Sequence, residues 1–352
     1  MTIDVRPTPE AIRAAWADNP KMRERDLANQ LGISEAEFVA AYCGISARRI
    51  VPDVDKLLGG IGAVGEVMAL TRNESAVHEK IGPYDKPVAG KHAAMVLGAE
   101  IDLRIFPKHW VHGFAVEKAD GEQVRRSLQF FDAAGEAVHK IHLRPSSDVE
   151  AYERLVRDML APDQSQTVAI ATDGDKAEEP AAEPDLTELR RRWGTMTDVH
   201  QFAGILRDMK LTRRKAVEVI GRDFAWRLDN GAVEAMMRHA AQEDDLPIMC
   251  FVGNRGCIQI HSGPIREIKP MGPWLNVMDP TFHLHLRLDH IAEVWAVRKP
   301  NKDGHVTSIE AYGADGSMII QFFGKRKEGV DERPDWRFIV ENLPQVPHST
   351  AA

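Results

Sequence analysis

The chain repeats itself. Slid by 181 positions, residues 101–144 align on residues 282–325 without a gap. Leu103 meets Leu284, His109 meets His290, Ala115-Val116 meets Ala296-Val297, and Lys118 meets Lys299. Ser127 meets Ser308, Ala133 meets Ala314 and Gly135 meets Gly316. The identities fall on alternating apolar segments and on the turn between them, so what repeats is a folded unit. A unit of about 160 residues is an ordinary domain size.

The order of elements repeats as well. In the first half, short helices over residues 8–43 precede strands at 67–71, 101–106, 110–116, 127–131 and 138–143, and a helix closes it at 149–160. In the second half, helices at 186–193, 198–209, 213–220 and 231–242 precede strands at 248–252, 258–260, 282–286, 294–297, 307–311 and 318–323. A helix at 335–342 closes that half. Asp120-Gly121 and Ala134-Gly135 mark antiparallel hairpins. Helices ahead of antiparallel strands define an α+β fold, a tandem structural repeat with helices packed on a large sheet in each half. The expected division is 1–161, then 162–186, then 187–352. In the middle piece Asp173, Asp175, Glu178, Glu179, Glu183 and Asp185 alternate with Ala, Gly, Pro180 and Pro184, a solvated linker with little to bury.

Composition narrows the function. Hydrophobic residues make up 43% of 352, ample for two cores. The formal net charge of −8 gives no general attraction to nucleic acid. Cys43, Cys250 and Cys257 match neither a zinc pattern nor a disulfide framework. There is no apolar signal region at Met1–Arg6 and no run long enough to span a membrane. A soluble, cytoplasmic protein is expected. Asp26 to Ser34 has the look of a helix-turn-helix, so a regulator with a ligand domain is the alternative function. The next helix carries Glu35 and Glu37 and no arginine before Arg48, which favours an ordinary helical hairpin.

One stretch suggests a ligand. Trp193 to Phe202 reads as a helix start, with Thr195 or Thr197 as cap and Asp198 in the first turn. Val199, Phe202, Leu206 and Met209 face the core at helical spacing. His200 lies beside that stripe, one turn before Gly204, where a flat ligand could rest. Near a helix N-terminus the imidazole stays neutral and able to bind metal; the alternative is a helix-boundary histidine beside an incidental glycine. His283 and His285 share a strand face and could pair on a metal, or simply lie on a sheet surface.

Several motifs together resemble the cytoplasmic haem-utilisation family of HemS/HmuS type, also called hemin-degrading factors. They are Trp193…Thr197-Asp198-Val199-His200-Gln201-Phe202, Phe251-Val252-Gly253-Asn254-Arg255-Gly256-Cys257 and Trp295…Arg298-Lys299-Pro300. Ile101-Asp102-Leu103-Arg104-Ile105-Phe106 and Ser127-Leu128-Gln129-Phe130-Phe131-Asp132 belong with them. The resemblance implies one haem b (iron protoporphyrin IX) bound between the halves. His200 matches the proximal iron ligand and Arg104 the distal arginine, with Phe106 beside it. Arg213, Lys299, Gln321 and Arg326 match residues that hold the propionates or line the distal side. The family often has tyrosine within residues 321–326, where this chain has Phe323, so a hydroxyl is lost. His78 is a candidate for a second haem in the N-terminal half.

These chemistries agree with the residues. Haem needs a neutral imidazole with space beside it, apolar walls, and cations at its rim. The resemblance implies either a carrier that passes haem on within the cell or an enzyme that opens the porphyrin and frees iron. No dinucleotide fingerprint is present, so an enzyme would draw its electrons from outside. The implied partners are a membrane haem importer and a haem acceptor or reductase. Nucleic acid is not expected as a partner, and the protein is expected as monomer or dimer.

Overall fold

The computed structural model describes residues 6–171, 184–243, 246–326 and 329–346. The chain forms two compact units. The first comprises Met1–Arg72, Glu79–Asp175 and Gly253–Gln259; the second comprises Asn73–His78, Lys176–Val252 and Ile260–Ala352. The main cut thus falls within the acidic stretch. Two short segments depart from a purely sequential division.

In the first unit five strands run side by side in the order Ala47–Ile50, His112–Asp120, Gln123–Phe131, Ala137–Leu143 and Val67–Arg72. Their neighbours are antiparallel. Alternation sends Ala115, Leu128 and Ile141 to one face, where Val54–Ile61 and Val149–Met159 cover them. Phe114, Val116 and Phe131 reach the other face, under the helices Pro9–Asp18, Glu24–Leu31 and Glu35–Ala40. A three-stranded antiparallel ribbon of Pro87–Val88, Ala94–Leu97 and Asp102–Ile105 also belongs to the unit.

The second unit has the same plan. Its strands run Ala225–Leu228, Glu293–Asn301, Gly304–Tyr312, Met318–Gly324 and Ile248–Gly253. Strand starts again differ by 181 residues: 67 to 248, 112 to 293, 123 to 304 and 137 to 318. Val294, Ala296, Ile309, Ala311, Ile320 and Phe322 form the core beneath Ala232–Gln242 and Pro334–Asn342. Leu186–Gly194, Gln201–Asp208 and Arg213–Val219 pack over Ala225 and Val297 on the opposite face. The α+β tandem repeat is therefore present, with helices on both faces of each main sheet.

One alternative falls and two expectations change. The helix-turn-helix look is local: Gly32 turns the chain at φ 66° and Ser34 makes a capping box with Glu37. The following helix has six residues, and Glu35, Ala36, Phe38, Val39 and Ala40 are buried. Such a helix has no free face to enter a groove, so the regulator alternative fails. The linker also starts later than expected. Val168 and Ile170 pack on the first unit's helical core, Gln166 donates to Cys43 O at 2.9 Å, and Asp163 pairs with Arg49 at 2.5 Å. Of the linker acids, Asp173, Asp175, Glu178, Glu179 and Glu183 lie outside the described residues. The helix expected at 198–209 begins at Gln201, with His200 as N-cap. Thr195 instead ends the preceding helix.

Candidate functional site

The sheet face of the second unit that carries the 186–219 helices also holds most of the expected pocket residues. Strand register lines up Trp295, Glu310, Gln321 and Phe251 across four strands. The next row of that face is Val297, Ser308, Phe323 and Met249. Met249, Phe251, Gln321 and Phe323 are only half-buried, whereas the opposite side chains Cys250, Ile320 and Phe322 are fully buried. Phe251 and Phe323 meet edge to face at 5.0 Å. The row is thus a partly open aromatic surface with a polar centre.

That centre is Glu310, which has no solvent exposure. Arg213 forks onto it through Nε at 2.9 Å and Nη2 at 2.7 Å. Lys299 Nζ donates at 2.8 Å, Ser308 Oγ at 2.9 Å and Tyr312 OH at 2.6 Å. Burial alone would raise the Glu310 carboxyl, but Arg213 and Lys299 hold it well below the carboxylate range. Burial pulls Lys299 down to about 8, against the pull of Glu310. Phe202 supplies a ring face to both cations, 5.2 Å from Arg213 Cζ and 4.9 Å from Lys299 Nζ. Stripping one partner from such a buried group costs about 3–5 kcal/mol. Arg213, Arg214 and Lys215 sit at the positive end of their helix, where cations are unfavourable. Each has an acid to offset this: Glu310, Glu293 and Glu218.

His200 is 90% exposed. Its Nδ1 lies 2.7 Å from Asp198 Oδ1, and its backbone N–H donates to the same oxygen at 2.9 Å. With Nδ1–H donated to the carboxylate, Nε2 presents a lone pair, the arrangement common at metal-bound histidines. The hydrogen bonds from His200 hold the Asp198 carboxyl below its usual range, and the charge of Arg326 adds to this. Gln201 Oε1 accepts from Thr197 N–H at 2.9 Å and pins the turn before the helix. At Gly204 a Cβ would meet only Arg207 Nη2, at 4.0 Å, so the helix surface one turn past His200 is open.

In the first unit Arg104 stands on Asp102–Ile105 with Leu103 and Ile105 buried on the opposite face. Its Nη1 is ion-paired with Asp102 and donates to Leu103 O at 3.0 Å. Burial raises the Asp102 carboxyl, and Arg104 counters it. Phe106 follows, half-buried, its N–H bonded to Gly256 O at 2.9 Å.

The structure therefore brings Arg213, Lys299, Gln321 and Phe323 onto one face of the second unit, and in the first unit sets Arg104 on the strand Asp102–Ile105 with Phe106 just after its end. Asp198 was read in the sequence only as a first-turn acid, and Glu310 went unnoticed. Asp198 was legible as an acid two residues from His200; Glu310 was not, because its partners lie up to 97 residues away. His78 requires a correction: it belongs to the second unit, is fully buried, and lies 4.9 Å from the Phe282 ring. A porphyrin cannot reach it without unpacking that core. His285 faces Asn276, Nδ1 to Oδ1 2.6 Å, and no group of three or more His, Cys, Asp or Glu suited to a metal occurs among the described residues.

This is a duplicated α+β protein with an exposed histidine beside an open helix surface, and a cationic, aromatic sheet face in the same unit. Residues 32–159 and 210–343 both match the family model described as the haemin-degrading HemS.ChuX domain, and the chain belongs to that family. It is 40% identical over 330 residues to the hemin transport protein HmuS of Yersinia pestis, spanning 94% of this chain and 95% of that one. Holo-PhuS, a heme-binding protein from Pseudomonas aeruginosa, superposes with TM-score 0.92 at 41% identity, covering 97% of this chain and all of its own. The heme-degrading enzyme ChuS of Escherichia coli O157:H7 gives 0.88 at 35% identity, over 96% and 99%. No helix among the described residues is long and apolar enough to cross a membrane.

Proposed function

We propose that this protein binds haem b as the cargo of a haem-uptake and utilisation route in the cytoplasm, for transfer, for degradation with iron release, or for both. The observation that carries the reading is His200: exposed, its Nδ1 engaged by Asp198 and its Nε2 free, beside the open surface at Gly204. Family membership and the haem-related relatives support it.

The residues fit the group chemically. Haem when bound supplies an iron atom, a wide apolar ring and two carboxylates. His200 Nε2 would hold the iron, with Asp198 orienting the imidazole. Phe251 and Phe323 offer apolar surface, and Gln321 Nε2 is a buried donor with no partner among the described residues. Arg213, Lys299 and Arg326 are the cations assigned to the propionates. Arg104, with Phe106, is assigned to the distal side, where its guanidinium can donate hydrogen bonds. A membrane importer would deliver haem, and an acceptor or reductase would take it or supply electrons.

The test is His200→Ala. The ferric Soret and charge-transfer bands should shift, and haem should leave for a scavenging apoglobin at least about tenfold faster, roughly the worth of one lost anchoring contact. An unchanged spectrum and off-rate would falsify the assignment. Adding reductant to the wild-type haem complex with catalase present separates degradation from carriage. Loss of the Soret band under those conditions marks an enzyme, and its persistence marks a carrier.

A further inference from the structure

Glu310 gathers more charge than it balances. Two cations, Arg213 and Lys299, converge on one buried carboxylate, which also accepts from Ser308 and Tyr312. The cluster carries an excess positive charge, with Lys299 and Glu310 buried and Arg213 partly open to water. Its cross-strand neighbour Gln321 adds a buried, unpartnered Nε2 donor. The face has a surplus of donors and is short of one acceptor.

The repeat shows that the fold does not need an acid here. The position equivalent to Glu310 in the first unit is Gln129, buried in the same register, with its Nε2 donating to Ser127 Oγ at 3.1 Å. Lys118, the equivalent of Lys299, pairs elsewhere, with Glu24. The same sheet folds around a neutral amide. The carboxylate with its two cations is particular to the second unit.

We propose that Glu310 is an internal stand-in for a carboxylate of the ligand. Before the ligand arrives it keeps Arg213 and Lys299 aligned; afterwards it competes for their donors and thereby sets the rate of haem release. Glu310 is a positioning residue, acting through the two cations. The inference rests on the reading that those cations receive the propionates. Close charge pairs shielded from water are strongly coupled, so removing the internal competitor leaves the ligand's carboxylate as their remaining counter-charge.

The experiment uses the full chain loaded with haem or with haem dimethyl ester, whose carboxylates are capped, and follows release to a scavenging apoglobin. Wild type should lose the ester faster than haem. Glu310→Gln should release haem roughly tenfold more slowly than wild type, the scale of a partly solvated charge coupling, and leave the ester's rate unaltered. If wild type discriminates against the ester but Glu310→Gln releases haem as fast as wild type or faster, Glu310 is a structural anchor and the proposal is overturned. If wild type releases both alike, the propionate reading fails and takes the proposal with it. Should Glu310→Gln not fold, a crystal structure of haem-loaded wild type decides. At least one Arg213 or Lys299 donor should have turned from Glu310 to a propionate. Retention of all three bonds to Glu310 with haem bound overturns the proposal.

Discussion

Arg104 is the residue on which the distal assignment stands. Its charge is matched by Asp102, two residues away on the same strand face, and its side chain is 34% exposed. A partly exposed pair of this kind is worth about 1 kcal/mol, so Asp102 can yield the guanidinium to a better acceptor. Burial already pushes the Asp102 carboxyl upward, which weakens its hold further. In the haem complex, Arg104→Ala should preserve the His200 spectral signature. It should shift the iron–CO stretch and speed loss of the distal ligand by about tenfold, the worth of one charge-assisted hydrogen bond. Identical CO and hydroxide binding in variant and wild type would mean that Arg104 serves only its pair with Asp102.

At the scale of elements, the equivalent hairpin turns show how one sequence signal acquires two energetic meanings. Gly135 and Gly316 occupy the left-handed region at φ 78° and 80°. Both therefore resist a side chain by about 1–2 kcal/mol from backbone strain. Their surroundings differ. A Cβ on Gly135 would sit 2.2 Å from Ser34 Oγ, the side chain that caps the helix Glu35–Ala40. One on Gly316 would meet Arg214 Cδ at 3.1 Å, part of a flexible side chain. Gly316→Ala should lower stability by about 1–2 kcal/mol, and Gly135→Ala by about 1 kcal/mol more, because the cap is lost as well. Urea denaturation checks the order; equal losses would show that Ser34 relaxes freely. Helix starts were the least legible elements. Thr195 and Thr197 looked like caps because short hydroxyl residues cap helices, but Gln201 folds back over the turn and leaves His200 at the N-cap position. The strands Ala94–Leu97 and Ala225–Leu228 went unread because each has only four residues and no clear apolar–polar alternation.

At the scale of the whole molecule, stability is tied to pH through a buried histidine. His139, in the first unit, is enclosed between Thr71 Oγ1 at 2.8 Å and Tyr84 OH at 2.6 Å. Burial, with a lesser push from His142, lowers its imidazole to about 3 from an ordinary 6.5. The unfolded chain takes up a proton near pH 6.5, while the folded one refuses it until about pH 3. The stabilisation is therefore complete above pH 6.5 and is lost as pH falls towards 3, by several kcal/mol at roughly 1.4 kcal/mol per unit. His139→Gln should be less stable at pH 7, since Thr71 and Tyr84 lose a matched partner. Its urea midpoint should also fall less steeply than that of wild type between pH 6.5 and 4. Parallel pH profiles would assign the acid sensitivity to other groups. The duplication, the α+β order and the family motifs were all legible in the chain, because apolar alternation and hairpin glycines are local signals that survive in any context. His200 was legible for the same reason, as part of a contiguous motif. The pairing of Arg213 and Lys299 on Glu310, the burial of His78 against Phe282, and the open row of Gln321, Phe323 and Phe251 were decided only by the tertiary structure. Each depends on strand register and on which sheet face a helix covers, and those choices are made by residues distant in sequence competing for the same buried space.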